Sequence, residues 1–364
     1  MRWSSLCLVA SLLATQPVRA ESHRLDPQPA GLDGCGRATK CSDASGPRRA
    51  AAVALSVTTG LLVRGVGSYV VGEKRAAKRL ALISGLGLGS ALAGGLPIGI
   101  SGGYPPTMTL TPLLLFGAGA LFTAWWADIG VAAGISRVGA ARTQAPWSLE
   151  LAMLYLSDPY RQAGLMRLGG NVELGRVRLG ASGMIDAENE LRTGELDVRF
   201  RIYGAPATGG AVGDGSRLIV RTGFRGHDDD GDHVSLLTAE LEVSGRLDLH
   251  RIERALRGTF IQMSTGIGVE RAGFIDDHDN GSILLGSFGW GVYLGKRGEL
   301  QLFYDHRRDS MVGGLSAGRA AGFVGSLGGS LDWLLDRRFA AHLQLEIGNA
   351  WLTTLGVRYR GGMK

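Results

Sequence analysis

The sequence predicts an antiparallel up-and-down transmembrane β-barrel of about 10 to 12 strands, preceded by Gly-rich hydrophobic helices. Three observations carry this: a secretion signal at the start, long uncharged Gly-rich runs in the first third, and period-two alternation of apolar and polar residues from about residue 146 onward. Alternation with that period puts successive side chains on opposite faces of an extended strand.

The first element is MRWSSLCLVASLLATQPVRA. Arg2 supplies a positive start, Leu6 to Leu13 an apolar stretch and Val18-Arg19-Ala20 a small-x-Ala cleavage site, so residues 1–20 are expected to be a signal peptide. Residues 21–49 are rich in Pro, Gly, Asp and Ser without a hydrophobic period, and are expected to form a disordered linker. Cys7 leaves with the signal, so Cys35 and Cys41 are positioned to pair in an oxidising compartment.

Residues 50–140 form a hydrophobic helical region. The segment Thr107 to Trp126 has no charge and is long enough to cross a bilayer as a helix. Arg64 interrupts the first apolar run, and Gly, Ser and Thr dilute the first two. Two readings therefore stand: inner-membrane spans, or Gly-rich helices packed on other protein or lying in the outer membrane beside a barrel.

Residues 141–364 are expected to be the barrel. In ELDVRFRIY, Leu196, Val198, Phe200 and Ile202 point one way, and Glu195, Asp197, Arg199 and Arg201 the other. Comparable segments fall near 147–156, 165–185 (one bulged strand or two), 193–204, 216–226, 233–247, 259–275, 282–295, 299–307, 318–333, 337–348 and 350–360. Several exceed the usual globular strand in length and match a tilted strand crossing a bilayer. Trp147, Tyr155, Trp290, Tyr293, Tyr304, Trp333, Trp351 and Tyr359 lie mostly toward strand ends, as interface girdles do.

On these features the chain resembles outer-membrane β-barrel proteins of diderm bacteria, over roughly residues 146–360. The resemblance is one of pattern. The final TLGVRYR is similar to the closing strand that barrel-insertion machinery reads, and departs from it in ending Gly361-Gly362-Met363-Lys364. The resemblance implies a cell outer-membrane location, with membrane lipids and that machinery as partners, and a porin-like passive transport or structural envelope role. The rival readings are a surface barrel enzyme of lipid deacylase or protease type, and an inner-membrane helical protein with a soluble periplasmic β domain.

The net charge of +6 arises from 34 arginines and five lysines scattered along the chain, with no basic stripe for nucleic acid. The sharper charge feature is internal: Arg217, Arg221 and Arg225 recur on one face of a strand beside Arg199 and Arg201, with Glu195 and Asp197 near. Such a set either satisfies itself and fills a narrow lumen or biases a wider pore toward anions.

The loops HDDDGDH and DDHDNG carry candidate metal ligands Asp228, Asp230, Asp232, Asp276 and Asp279. Both miss the calcium-loop spacing, since Gly231 and Gly281 align Leu237 and Ser287 where a Glu is required. His233, His278, Asp305 and His306 are the candidates for a base with an orienting carboxylate, but no nucleophile accompanies them. Glycines 266, 268, 286, 289, 291, 325, 328 and 329 sit inside alternating strands with no following helix, so no cofactor is expected. They mark bends or close packing, with the helices of residues 80–102 as one candidate partner.

Overall fold

The computed structural model describes residues 46–102, 106–134, 145–157, 162–188, 191–204, 215–229, 234–273, 278–294, 297–305, 326–348 and 351–362. The expected signal peptide, most of the expected linker and the Cys35–Cys41 pair lie outside these residues.

Twelve antiparallel strands close into a barrel in simple sequence order. They are β1 Trp147–Ser157, β2 Gln162–Leu174, β3 Val177–Asp186, β4 Leu191–Tyr203, β5 Arg217–Asp229 and β6 Val234–Asp248, followed by β7 Thr259–Gly273, β8 His278–Leu294, β9 Gly298–Asp305, β10 Ser326–Leu334, β11 Phe339–Ile347 and β12 Trp351–Gly361. The segment 165–185 is thus two strands, joined at Gly175-Arg176, where Gly175 takes a φ of 64° that suits a tight hairpin turn. Strand β12 returns to β1, with Trp147 opposite Gly361 and Ser157 opposite Trp351, so the sheet has no free edge.

Even strand number and up-and-down order give the barrel a terminal end, where Trp147 and Gly361 meet, and a distal end. The terminal end carries the short connections at 175–176, 295–297 and 335–338. In the last of these Asp336 Oδ1 accepts from the N–H groups of Arg338 and Phe339 at 2.6 and 2.7 Å. The strand ends that flank HDDDGD, DDHDN and HRRDSMVGGLSAG in the sequence lie at the distal end.

Outward positions are largely apolar below the distal rim. Leu168, Leu196 and Val269 are each more than 60% exposed, which water would not favour over a face that wide but a hydrocarbon layer would. Tyr359 packs edge to face on Phe339 and tilted against Trp147 near the terminal end, while Tyr155 and Trp351 lie outward at the distal end. Tyr293 departs from the expected girdle: it faces the lumen. Trp290 faces outward, but helix covers it.

The helical part comprises α1 Gly46–Val57, α2 Val66–Val70, α3 Lys74–Ile100 and α4 Thr111–Ala133. The first apolar run is broken into short pieces, whereas α3 and α4 are each long and apolar enough to cross a membrane. Asp128 of α4, fully buried, accepts from the N–H groups of Gly67 and Ser68 and from the Ser68 hydroxyl, holding α2 in place. Glycines 87, 94 and 117 bring α3 and α4 into backbone contact, since a Cβ at any of them would strike the facing helix.

This α3–α4 pair docks on the outside of the barrel. Leu80, Ala124 and Ala127 pack with Leu249, Ala255 and Leu256 of the β6–β7 connection. That connection holds two single 3-10 turns, Leu249–Arg251 and Arg254–Leu256, whose apolar side serves as the dock. Arg79 pairs with Glu253 beside it. Outward-facing Trp290 and Val292 are only 9% and 3% exposed under this cover. Gly291 and Gly328 make room for the rings of Phe260 and Phe303, and the helix supplies its own glycine, Gly119, beneath Trp290.

Candidate functional site in the barrel lumen

Strict alternation turns Glu195, Asp197, Arg199 and Arg201 of β4 inward, along with Arg217, Arg221 and Arg225 of β5. The register sets Glu195 opposite Arg225 and Arg199 opposite Arg221, so the seven residues singled out from sequence do share one inner wall. Their partners come in part from strands that sequence reading did not connect to them. Arg221 binds Glu195, Glu240 at 2.8 Å and Glu242 at 3.3 Å, the last two from β6. Arg225 lies 3.9 Å from Glu195, Arg199 binds Asp197 at 2.7 Å, and Arg201 binds Glu173 of β2. The arginine ladder is therefore threaded with carboxylates and is not an uncompensated positive track.

At the terminal end a second group forms around Arg246. Its guanidinium donates to Glu299 at 2.9 Å and stands 3.4 Å from the centroid of the Phe260 ring and 5.1 Å from that of Tyr293. The Tyr293 hydroxyl donates to Asp248 at 2.7 Å, and Asp248 accepts again from Gly215 N–H at 2.6 Å. Cation over ring and paired carboxylate together fasten β6, β7, β8 and β9 across the mouth. On the far side, Arg358 donates to Glu150 at 2.7 Å and His342 contacts Asp332 at 3.1 Å. Arg199 and Arg358 keep 40% and 34% of their side chains accessible, so water reaches this side of the lumen.

Toward the distal end the inner wall changes character. Leu154 and Leu156 of β1, Leu165 of β2, Met184 of β3, Leu191 of β4 and Leu352 of β12 all face inward and form one buried cluster with Ala152. Leu236 of β6 and Leu285 of β8 face inward as well and are buried. The lumen is thus polar in its terminal half, and near the distal rim it is apolar along β12 and β1 to β4 but polar on β9 to β11, where Asp305, Ser326 and Glu346 face inward. Sequence reading missed this collar because β1 is apolar at both parities from Leu151 to Leu156.

Four of the loop candidates fall among the described residues. Asp228 points outward and is exposed, while its neighbour His227 points inward, with Nδ1 3.0 Å from Thr193 Oγ1. Asp305 ends β9, and His278 and Asp279 begin β8 by backbone position. His233, His306, Asp230, Asp232 and Asp276 lie outside the described residues. Among the described residues no group of three His, Cys, Asp or Glu is placed to hold a metal ion.

Comparisons with known proteins return barrels of the same kind. No family model matches the chain, and no curated protein matches it. Among solved structures the chain is similar to the KdgM porin in complex with disordered oligogalacturonate, at 8% identity and TM-score 0.40, covering 58% of this chain and 98% of that one. It is also similar to the NanC porin, at 10% identity and TM-score 0.37 over 58% and 98%, and to the Acinetobacter baumannii outer membrane protein Omp33, at 9% identity and TM-score 0.32 over 60% and 99%.

Proposed function

We propose that this chain is an integral outer-membrane barrel that passes small polar solutes through a narrow, restrained lumen. The observation that carries the reading is the inversion of the sheet: hydrocarbon-compatible side chains outside, ion-paired arginines and carboxylates inside, on a wall with no edge. A soluble barrel of this size would place those faces the other way round. Such a protein would be exported through a cleaved signal at residues 1–20, inserted by the barrel machinery with its distal end outward, and surrounded by membrane lipids.

The apolar collar sets the expected conductance. A stretch of lumen wall lined by leucine resists wetting and raises the barrier that ions meet. Solute passage would thus be small at rest, and the neutralised ladder would give little preference for anions over cations. A structural envelope role is the second reading, favoured by the same collar and by the ion pairs that lace the inner wall.

Reconstitution of the purified full chain in planar bilayers separates the two. Small, reproducible unitary steps with weak ion selectivity support the conduit. No steps above the protein-free bilayer, under voltages at which the barrel remains folded, would leave the structural role standing.

A further inference from the structure

We infer that the outer wall carries a binding site for an outer-leaflet lipid with a phosphorylated headgroup. On strands β2 to β5 the outward positions Gly170, Ala181, Gly183, Gly194 and Gly226 remove the side chains that cover the wall elsewhere. The result is a trough of about 670 Å³, walled by Leu168, Leu196, Phe224 and Leu237. It has the volume and apolarity to take a fatty acyl chain.

Toward the distal end the trough meets a second recess of about 650 Å³, which shares Gly194, Gly226 and Leu237 and is flanked by Arg192 of β4 and Arg271 of β7. Both arginines are outward and exposed, above hydrocarbon-facing neighbours. Between them stand Ser235, a hydroxyl donor, and Asp228, which offsets one of the two positive charges and leaves the recess net cationic. Three strand spacings and a two-residue offset along the strands separate the arginines, about 16 Å from backbone to backbone, a span that two anionic groups of one large headgroup can bridge. Guanidinium groups suit phosphate oxygens through paired hydrogen bonds. Cation above and acyl groove below is the order in which an outer-leaflet phosphoglycolipid presents its headgroup and chains.

This inference rests on the membrane reading and its orientation, and its test separates the two. The full chain in detergent is titrated with a bisphosphorylated, acylated disaccharide and, in parallel, with a zwitterionic phospholipid of equal chain length, and the lipid retained is counted by native mass spectrometry. The wild type should retain the phosphoglycolipid preferentially. R192A/R271A should reduce that retention about tenfold per guanidinium lost, and G194L/G226L, which fills the trough while keeping the charges, should reduce it as well. Equal retention of both lipids by the wild type, or no change in either double variant that still shows barrel migration on unheated gels, overturns the site. A chain that takes up neither lipid and stays soluble without detergent overturns the membrane reading itself.

Discussion

The indole of Trp290, on the outer wall of the barrel, lies against Gly119 of α4 so closely that a Cβ at that glycine would fall inside the ring. This one contact explains why an aromatic placed for an interface girdle is only 9% exposed. It also makes the helical region part of the same folded body as the barrel wall near β7 and β8.

Gly119→Val should therefore lift the helices from the wall. Forcing branched carbons into a filled site costs about 1–3 kcal/mol, and the opposite change, Trp290→Ala, about 3–5 kcal/mol through the void it leaves. Both variants should cleave faster in the helical region under limited proteolysis while the barrel keeps its heat-modifiable migration. Unchanged cleavage in both would show that the dock is held elsewhere, at Leu80 and Leu256.

The pairing of Arg79 with Glu253 gives the dock a pH dependence. Hydrogen bonding from the Arg79 guanidinium holds the Glu253 carboxyl below its usual 4.5, so its contribution is complete above that value and fades as pH falls through the lowered one. Proteolysis of the helical region by an acid-tolerant protease should rise as the solution is taken from neutral to below about pH 4. Glu253→Gln should be cleaved faster at neutral pH and show a flatter acid response. The effect is small because the pair is well exposed to water.

Much of this arrangement was legible in the sequence, and what escaped it has a physical pattern. Strand faces follow from alternation alone, which is why Glu195 to Arg201 and Arg217 to Arg225 were placed on one inner wall. Partners across strands were not, because Glu240 and Glu242 join Arg221 through a register that no local pattern encodes. Tyr293 and Trp290 have the same aromatic character near the same strand end. Only the parity of the position decides that one meets Asp248 in the lumen and the other meets Gly119 outside. The collar was hidden because Leu151, Leu154 and Leu156 look alike in sequence although the first faces outward.

Arg221 gathers Glu195, Glu240 and Glu242 around one buried guanidinium. Arg221→Ala leaves three carboxylates facing one another, and removing one partner from a buried ionic group costs about 3–5 kcal/mol. The barrel should unfold at lower urea concentration, and Arg221→Lys should recover only part of the loss, because one compact ammonium nitrogen cannot reach both Glu195 and the Glu240–Glu242 pair, which two separate guanidinium nitrogens serve. A shift in unfolding free energy below about 1 kcal/mol would mean that water already screens the group.

The collar offers the most direct control over passage. Leu154 and Leu156 project inward from β1 into a cluster with Leu165, Met184, Leu191 and Leu352, and each is at most 8% exposed. Leu154→Ser/Leu156→Ser places hydroxyls where the wall repels water, while the outward face of β1, at Leu151, Met153 and Tyr155, stays as it is. Water then enters the collar, the barrier to ions falls, and unitary conductance in planar bilayers should rise several-fold, about what removing 1 kcal/mol from a barrier gives. Leu154→Ile/Leu156→Ile, equal in volume and apolarity, should conduct as the wild type does. If serine and isoleucine variants conduct alike, the rate-limiting constriction lies instead at Arg246, Phe260 and Tyr293, and Arg246→Ala becomes the variant that opens the path.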